Sequence, residues 1–218
     1  KGMGTNALAS LTVNTDCAET EVDTQQTNLT RFPLFFPEKR TFFLDATDIF
    51  AFGTGVGGPA VLPFFGRRIG LVGGQEVPIL AGLKATGRVG ETSFGGLVVR
   101  TRERDAVAPA TTMAVMRLKQ NLFAESRAGI IATLGDPLGR GGSWQLGADF
   151  TYETSHFRGN KNFSVGVWGL ATGRDDLSGY RERSALGFKV DYPNDLWDCA
   201  FIYRRIGDGF DPSLGFVP

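Results

Sequence analysis

The feature that most restricts this chain is alternation. In PILAGLKATGRVG, Ile79, Ala81, Leu83 and Ala85 fall on one face of an extended backbone, and Gly82, Lys84, Thr86 and Arg88 on the other. A period of two marks a strand, because successive side chains point to opposite faces. SWQLGADFTYE repeats it, with Trp144, Leu146, Ala148, Phe150 and Tyr152 against Gln145, Gly147, Asp149 and Thr151. ERSALGFKVDY sets Leu186, Phe188, Val190 and Tyr192 against Gly187, Lys189 and Asp191. NALASLTVN sets Ala7, Ala9, Leu11 and Val13 against Leu8, Ser10, Thr12 and Asn14. TSFGGLVVRT, ATTMAVMRLKQ, SRAGIIATLG, NFSVGVWGLATG and DLWDCAFIYRR read as further strands of about ten residues. RERDAVAP, GDPLGRGGS, SHFRGNKN, GRDDLSGY and YPND separate strands as turn-rich pieces.

Two architectures bury one face of such strands. A soluble sandwich or barrel turns the apolar face inward; a membrane barrel turns it to lipid and fills its inside with polar groups. The strands exceed the five or six residues usual in soluble sheets. Lys84, Arg88, Arg117, Lys119, Asp149 and Lys189 sit on the polar faces, and Trp144, Tyr152, Tyr192, Trp197 and Tyr203 resemble the aromatic girdles of membrane interfaces. No run of 18 apolar residues offers a transmembrane helix, but a barrel needs none. The expected fold is therefore all-β, an antiparallel up-and-down meander, and these features favour a transmembrane β-barrel over a soluble sheet with one wet face. Charge is balanced, with 23 basic and 23 acidic residues and no basic run, so no nucleic-acid partner is expected.

Residues 1–14 read as the first strand and 77–218 as the meander, all in one partial barrel domain. Residues 15–76 lack alternation, and LTRFPLFFPEKRTFFLDATDIFAF within them crowds rings around charges. So long an irregular segment is uncommon in a compact domain. A barrel accommodates it as a plug in the lumen or packing at the mouth. Asp16, Glu19, Glu21, Asp23, Arg31, Glu38, Lys39, Arg40, Arg67 and Arg68 would form its charge network, because unpaired buried charge is costly. Phe32, Phe35, Phe36, Phe42 and Phe43 would pack as its rings. Two other uses of these residues compete. The acidic set could hold a hard cation, although its spacing matches no calcium loop. Glu38, Lys39 and Arg40, or Arg67 and Arg68, could receive an anionic or sugar ligand.

Catalytic signals are weak. Asp45 and Asp48 could be a glycosidase pair only if folding set them across a bond. His156, the one histidine, lies in a turn with no nucleophile elbow for a serine hydrolase. FGTGVGG neither follows a buried strand nor opens a helix, so it reads as a turn rather than a dinucleotide loop. Cys17 and Cys199 have no metal-like spacing, and Cys199 falls on the lipid-facing side of its strand. Neither metal nor cofactor is expected.

Several blocks resemble a family of bacterial outer-membrane barrels of unassigned function. They are TVNTDCAETEVDTQQTNLTRFPLFFPEKRTFFLDATDIFAFG, PFFGRRIGL, EVPILAGLKATGRVG, APAT and GDGFDPSLGFV, in family order. Cys17, Thr41, Asp45 and Gly66 depart from the usual residues. Such barrels commonly follow a carbohydrate-binding-like module of the family-nine type, and some are labelled membrane-associated hydrolases. The resemblance implies an outer-membrane location and lipid-bilayer contact. It also implies a fragment, since members are several times longer: the first part of a barrel, without the module and later strands. Residues 1–218 alone are then expected not to close. Glycan contact would come through the absent module, and other envelope proteins are candidate partners. Three functions stay open: passage or surface handling of a glycan-derived substrate, hydrolysis, or structural anchoring of the module within an envelope assembly.

Overall fold

The computed structural model describes residues 6–15, 36–45, 47–53, 61–176 and 183–217. Its strands are β1 (Asn6–Thr15), β2 (Leu71–Val72), β3 (Gln75–Glu76), β4 (Ile79–Val89), β5 (Thr92–Thr101), β6 (Thr112–Leu122), β7 (Ser126–Leu134), β8 (Trp144–Phe157), β9 (Lys161–Gly173), β10 (Ser184–Pro193) and β11 (Asp198–Ile206). Nine of them make one antiparallel meander in the order β1-β4-β5-β6-β7-β8-β9-β10-β11. Among the described residues β1 and β11 each pair on one side only, so the sheet is open. β2 and β3 form a separate minimal hairpin over Gly73 and Gly74, both at positive φ.

Burial alternates as the side chains do. Along β8, Gln145, Gly147, Asp149 and Thr151 are buried while Trp144, Leu146, Ala148, Phe150 and Tyr152 are exposed. The polar set lies inside and the apolar set outside. β4 follows suit, with Lys84 and Thr86 buried and Leu83 and Ala85 exposed. Its first residue departs from the sequence reading. A register irregularity between Ile79 and Ala81 offsets the pleat, so Ile79 is buried instead of sharing the exposed side with Leu83.

Registers align the exposed side chains into rows across strands. One row runs Leu11, Leu83, Val98, Ala114, Leu134 and Trp144. The next runs Ala85, Gly96, Met116, Ala132 and Leu146, and another runs Leu118, Ile130, Ala148 and Gly169.

Between β4 and β10 the opposite, inner face is covered by chain from outside the meander, whereas every residue of β11 is exposed. Residues 36–53 contribute two one-turn helices, α1 (Thr41–Leu44) and α2 (Thr47–Phe50), and residues 66–68 a 3₁₀ turn. Phe43, Phe50, Val61 and Ile69 join Leu97, Val99, Met113, Val115, Ile131, Trp168 and Leu170 of the sheet in one core. The meander reading of residues 77–218 needs a boundary: strand ends at Ile206, and residues 207–217 return to the inner face. There Phe210 and Leu214 enter the same core, and Leu62 and Phe216 exchange backbone hydrogen bonds at 2.8 Å. No helix among the described residues is long and apolar enough to cross a membrane, which says nothing about strands.

The two ends of the sheet differ. Tight turns 90–91, 123–125, 158–160 and 194–197 lie at one end; connections 102–111 and 135–143 lie at the other, as do residues 174–176 after β9 and Arg183 before β10. β1 starts at the tight-turn end, since Asn6 faces Arg88. The covering segment therefore leaves and re-enters the sheet at the long-loop end.

Because Leu214 is fully buried and Leu196 is 83% exposed, their truncations separate cleanly. Leu214→Ala is expected to cost about 2–5 kcal/mol, and Leu196→Ala to stay within about 0.5 kcal/mol. Urea unfolding midpoints in mild detergent check both.

Candidate functional site

The interface between covering segment and sheet concentrates the chain's buried polar groups. One-turn helices leave most terminal carbonyls without partners inside the helix. Here the sheet supplies them. Lys84 Nζ donates to Phe42 O at 2.6 Å and Asp45 O at 3.0 Å, with the Asp45 carboxylate 3.7 Å away. Lys119 Nζ donates to Asp48 O at 2.9 Å, while within the segment itself Thr47 Oγ1 donates to Leu44 O. Gln145 Nε2 reaches Pro63 O at 3.0 Å.

At the centre lies an ion pair between two strands of the sheet. Arg117 Nη1 and Nη2 donate to the two Asp149 oxygens at 2.6 and 2.9 Å, and the side chains are only 1% and 6% exposed. The guanidinium crosses over β7 at Gly129, where an added Cβ would lie 2.7 Å from Arg117 Nη1. The covering segment caps the pair: Gly53 N–H donates to Asp149 Oδ2 at 3.2 Å, and the Phe52 ring centroid lies 5.2 Å from the guanidinium carbon. Arg117 Nε has no partner among the described residues, so Asp149 provides the main compensation for burying this charge.

Glycines of the sheet form sockets for rings of the segment. A Cβ at Gly82 would lie 3.2 Å from Phe42, and one at Gly95 would lie 2.8 Å from Ile49 and 3.1 Å from Phe50.

The sequence-predicted charges divide. Arg40 forks to Glu38 at 2.8 and 2.9 Å, donates to Ile69 O at 2.7 Å and Gly66 O at 2.8 Å, and stacks 4.2 Å from the Phe43 centroid. Glu38 also accepts the Lys39 and Arg40 backbone N–H groups. Glu38 and Arg40 thus bind each other and the segment's own backbone. Lys39 is exposed. Buried Arg67 donates to Pro37 O at 3.1 Å beside the Phe36 ring, and Arg68 donates to Gly215 O at 2.8 Å. Phe42 and Phe43 meet edge to face at 5.2 Å. Asp16, Glu19, Glu21, Asp23, Arg31, Phe32 and Phe35 lie outside the described residues, as does Cys17. Among the described residues no group of three or more His, Cys, Asp or Glu is placed to hold a metal.

A second polar cluster is absent from the sequence reading. At the long-loop end, Asp136 accepts Leu138 N–H at 2.7 Å and Arg140 Nε at 2.9 Å. Arg174, with its side chain 4% exposed, donates to Asp176 at 2.5 Å and to Asp211 at 2.8 Å, and lies 4.0 Å from Asp136. Ser143 and Ser213 hydroxyls meet at 2.7 Å. The cluster fastens the returning C-terminal segment to two long loops. Gly142 sits there at φ +63°, a left-handed conformation that favours glycine. Its residues sit in GDPLGRGGS, GRDD and FDPS, whose Gly, Pro and Asp content signals solvated turns; only the Asp136/Arg140 spacing hinted at pairing.

Burial would raise the Asp136 carboxyl, but hydrogen bonds from Arg140, Ser213 and Leu138 outweigh it and hold the group below its ordinary 3.8. The Arg174 hydrogen bond holds Asp176 low as well. Comparison with family models, curated proteins and solved structures finds no match.

Two outcomes follow for this interface. Asp149→Asn is expected to lose about 3–5 kcal/mol, because it strands a buried guanidinium, whereas Arg117→Met with Asp149→Leu recovers most of that loss; denaturant midpoints in detergent compare them. A carboxyl held low when folded stabilises fully above its unfolded value and loses that contribution as pH falls through the folded value. Protease release of the C-terminal segment is therefore expected to be flat above pH 3.8 and to rise below it. Asp136→Asn should weaken that acid dependence.

Proposed function

We propose that the meander is a wall of an outer-membrane β-barrel and that the covering segment plugs or narrows its interior. The role would be passage or surface handling of a substrate, glycan-derived by the family resemblance. The observation that carries this reading is the burial pattern: apolar rows face outward while Lys84, Arg117 and Asp149 are covered inside. Along β8 the exposed apolar positions Trp144 to Tyr152 span eight steps, about 27 Å of strand. At the usual barrel tilt this becomes about 20 Å of height, near the apolar band of outer-membrane barrels. Trp144 stands at one end of that band, with Tyr152, Tyr192 and Trp197 toward the other.

In a bilayer the open edges of β1 and β11 would need partner strands, since no water satisfies their backbone groups. The resemblance supplies these as later strands of a longer barrel. Outer-membrane barrels keep short turns in the periplasm and longer loops outside. The covering segment would then enter the wall from the cell exterior.

The protein extracted in mild detergent, run on a gel with and without boiling, tests the reading. A boiling-dependent shift from the outer-membrane fraction is expected; no shift, with the protein in the soluble fraction, would rule the wall out. Met116→Arg, on an exposed row, adds a magnitude: about 2–4 kcal/mol lost in a bilayer, against less than about 0.5 kcal/mol for an exposed site in water.

A further inference from the structure

We infer that the outer corner of the wall at its long-loop end is a seat for the phosphate of an anionic membrane lipid, a reading that rests on the proposed barrel wall. A cavity of about 420 Å³ opens there, where β8, β9, β10 and β11 end. Its floor is apolar: Trp144, Ala171 and Leu186 line it from the outward-facing rows. Its upper rim is basic, formed by Arg183 just before β10 and Arg205 near the end of β11. Arg205 lies across from Leu186 in the register and is exposed, with no acid within 4 Å among the described residues.

The two halves of the cavity ask for different chemistry. Carbon surface continuous with the apolar rows suits an acyl chain or glycerol backbone. Guanidinium groups suit a phosphate, which they bind through paired hydrogen bonds. Trp144 joins the halves at the height where tryptophan prefers the membrane interface. Its indole lies over Gly173, where a Cβ would sit 2.2 Å from Nε1, so the ring is seated against the strand rather than free. Ser184 adds a hydroxyl at the rim. An acyl chain below and an anion above describe one molecule, a phospholipid headgroup lying along the wall.

The test uses the full-length protein reconstituted in vesicles of equal parts phosphatidylglycerol and phosphatidylcholine, then re-extracted in mild detergent. Lipid retained on the protein is measured by native mass spectrometry. The wild type is expected to keep phosphatidylglycerol in preference to phosphatidylcholine. Arg205→Gln should weaken retention about fivefold, one basic contact of ordinary membrane-surface strength. Arg205→Lys should keep most of it, and Arg100→Gln, elsewhere on the outer face, should change nothing. If the wild type inserts, with its boiling-dependent shift, but Arg205→Gln retains lipid equally, the seat is disproved and the wall stands. If excess inorganic phosphate displaces the lipid at once, the site takes free anions and the lipid assignment fails. A wild type that never inserts overturns both readings.

Discussion

Burying charge on the inner face of the sheet is the constraint on which the rest of this structure depends. A cation removed from water needs an anion, a carbonyl or a ring. Lys84 and Lys119 find carbonyls of the covering segment; Arg117 finds Asp149 and the Phe52 ring. The segment needs the sheet equally. Its helices are a single turn long, too short to satisfy their own carbonyls. Neither partner would be stable in this form alone, and their mutual satisfaction fixes where the irregular chain lies.

Steric fit follows from the same arrangement. Rings can approach a sheet closely only where it lacks Cβ atoms. Gly82 and Gly95 provide that access, and Gly129 clears a path for Arg117 across β7. Phe50 packs on Phe64 at 5.3 Å and Phe52 on Trp168 at 6.2 Å, so the segment's two parts share one core with the sheet. The returning C-terminal segment completes the cover through Leu214 and Phe216, held by Arg174 and Asp211. From β4 to β10 one face of the sheet is thereby covered, and the other carries continuous apolar rows. The proposed contact with lipid is argued from that asymmetry.

Alternation was legible because a strand's side-chain period does not depend on its neighbours. Four meander strands show it cleanly and five more weakly, and the separation of Lys84 and Asp149 from Leu83 and Leu146 could be read from it. The irregular segment was legible as an interruption, from the ring-and-charge crowding around Glu38 to Arg40. Pairing was not legible. Arg117 and Asp149 stand 32 residues apart, and Lys84 meets carbonyls that no side-chain pattern announces. The Asp136–Arg174–Asp211 cluster stayed hidden for a related reason. Its parts lie in turns whose composition is that of ordinary solvated loops.

What the sequence by itself determined is where the strands run, the two faces of the strongly alternating ones and the existence of a long insertion after the first. These are local properties of the chain. Only the tertiary structure decided which face is covered, because burial belongs to the contact between distant segments. It also decided the pleat shift at Ile79, the return of residues 207–217 and the gathering of Trp144, Arg183 and Arg205 at one corner. The first and third depend on register between strands, and the second on packing of Phe210 and Leu214 into a core built by distant segments.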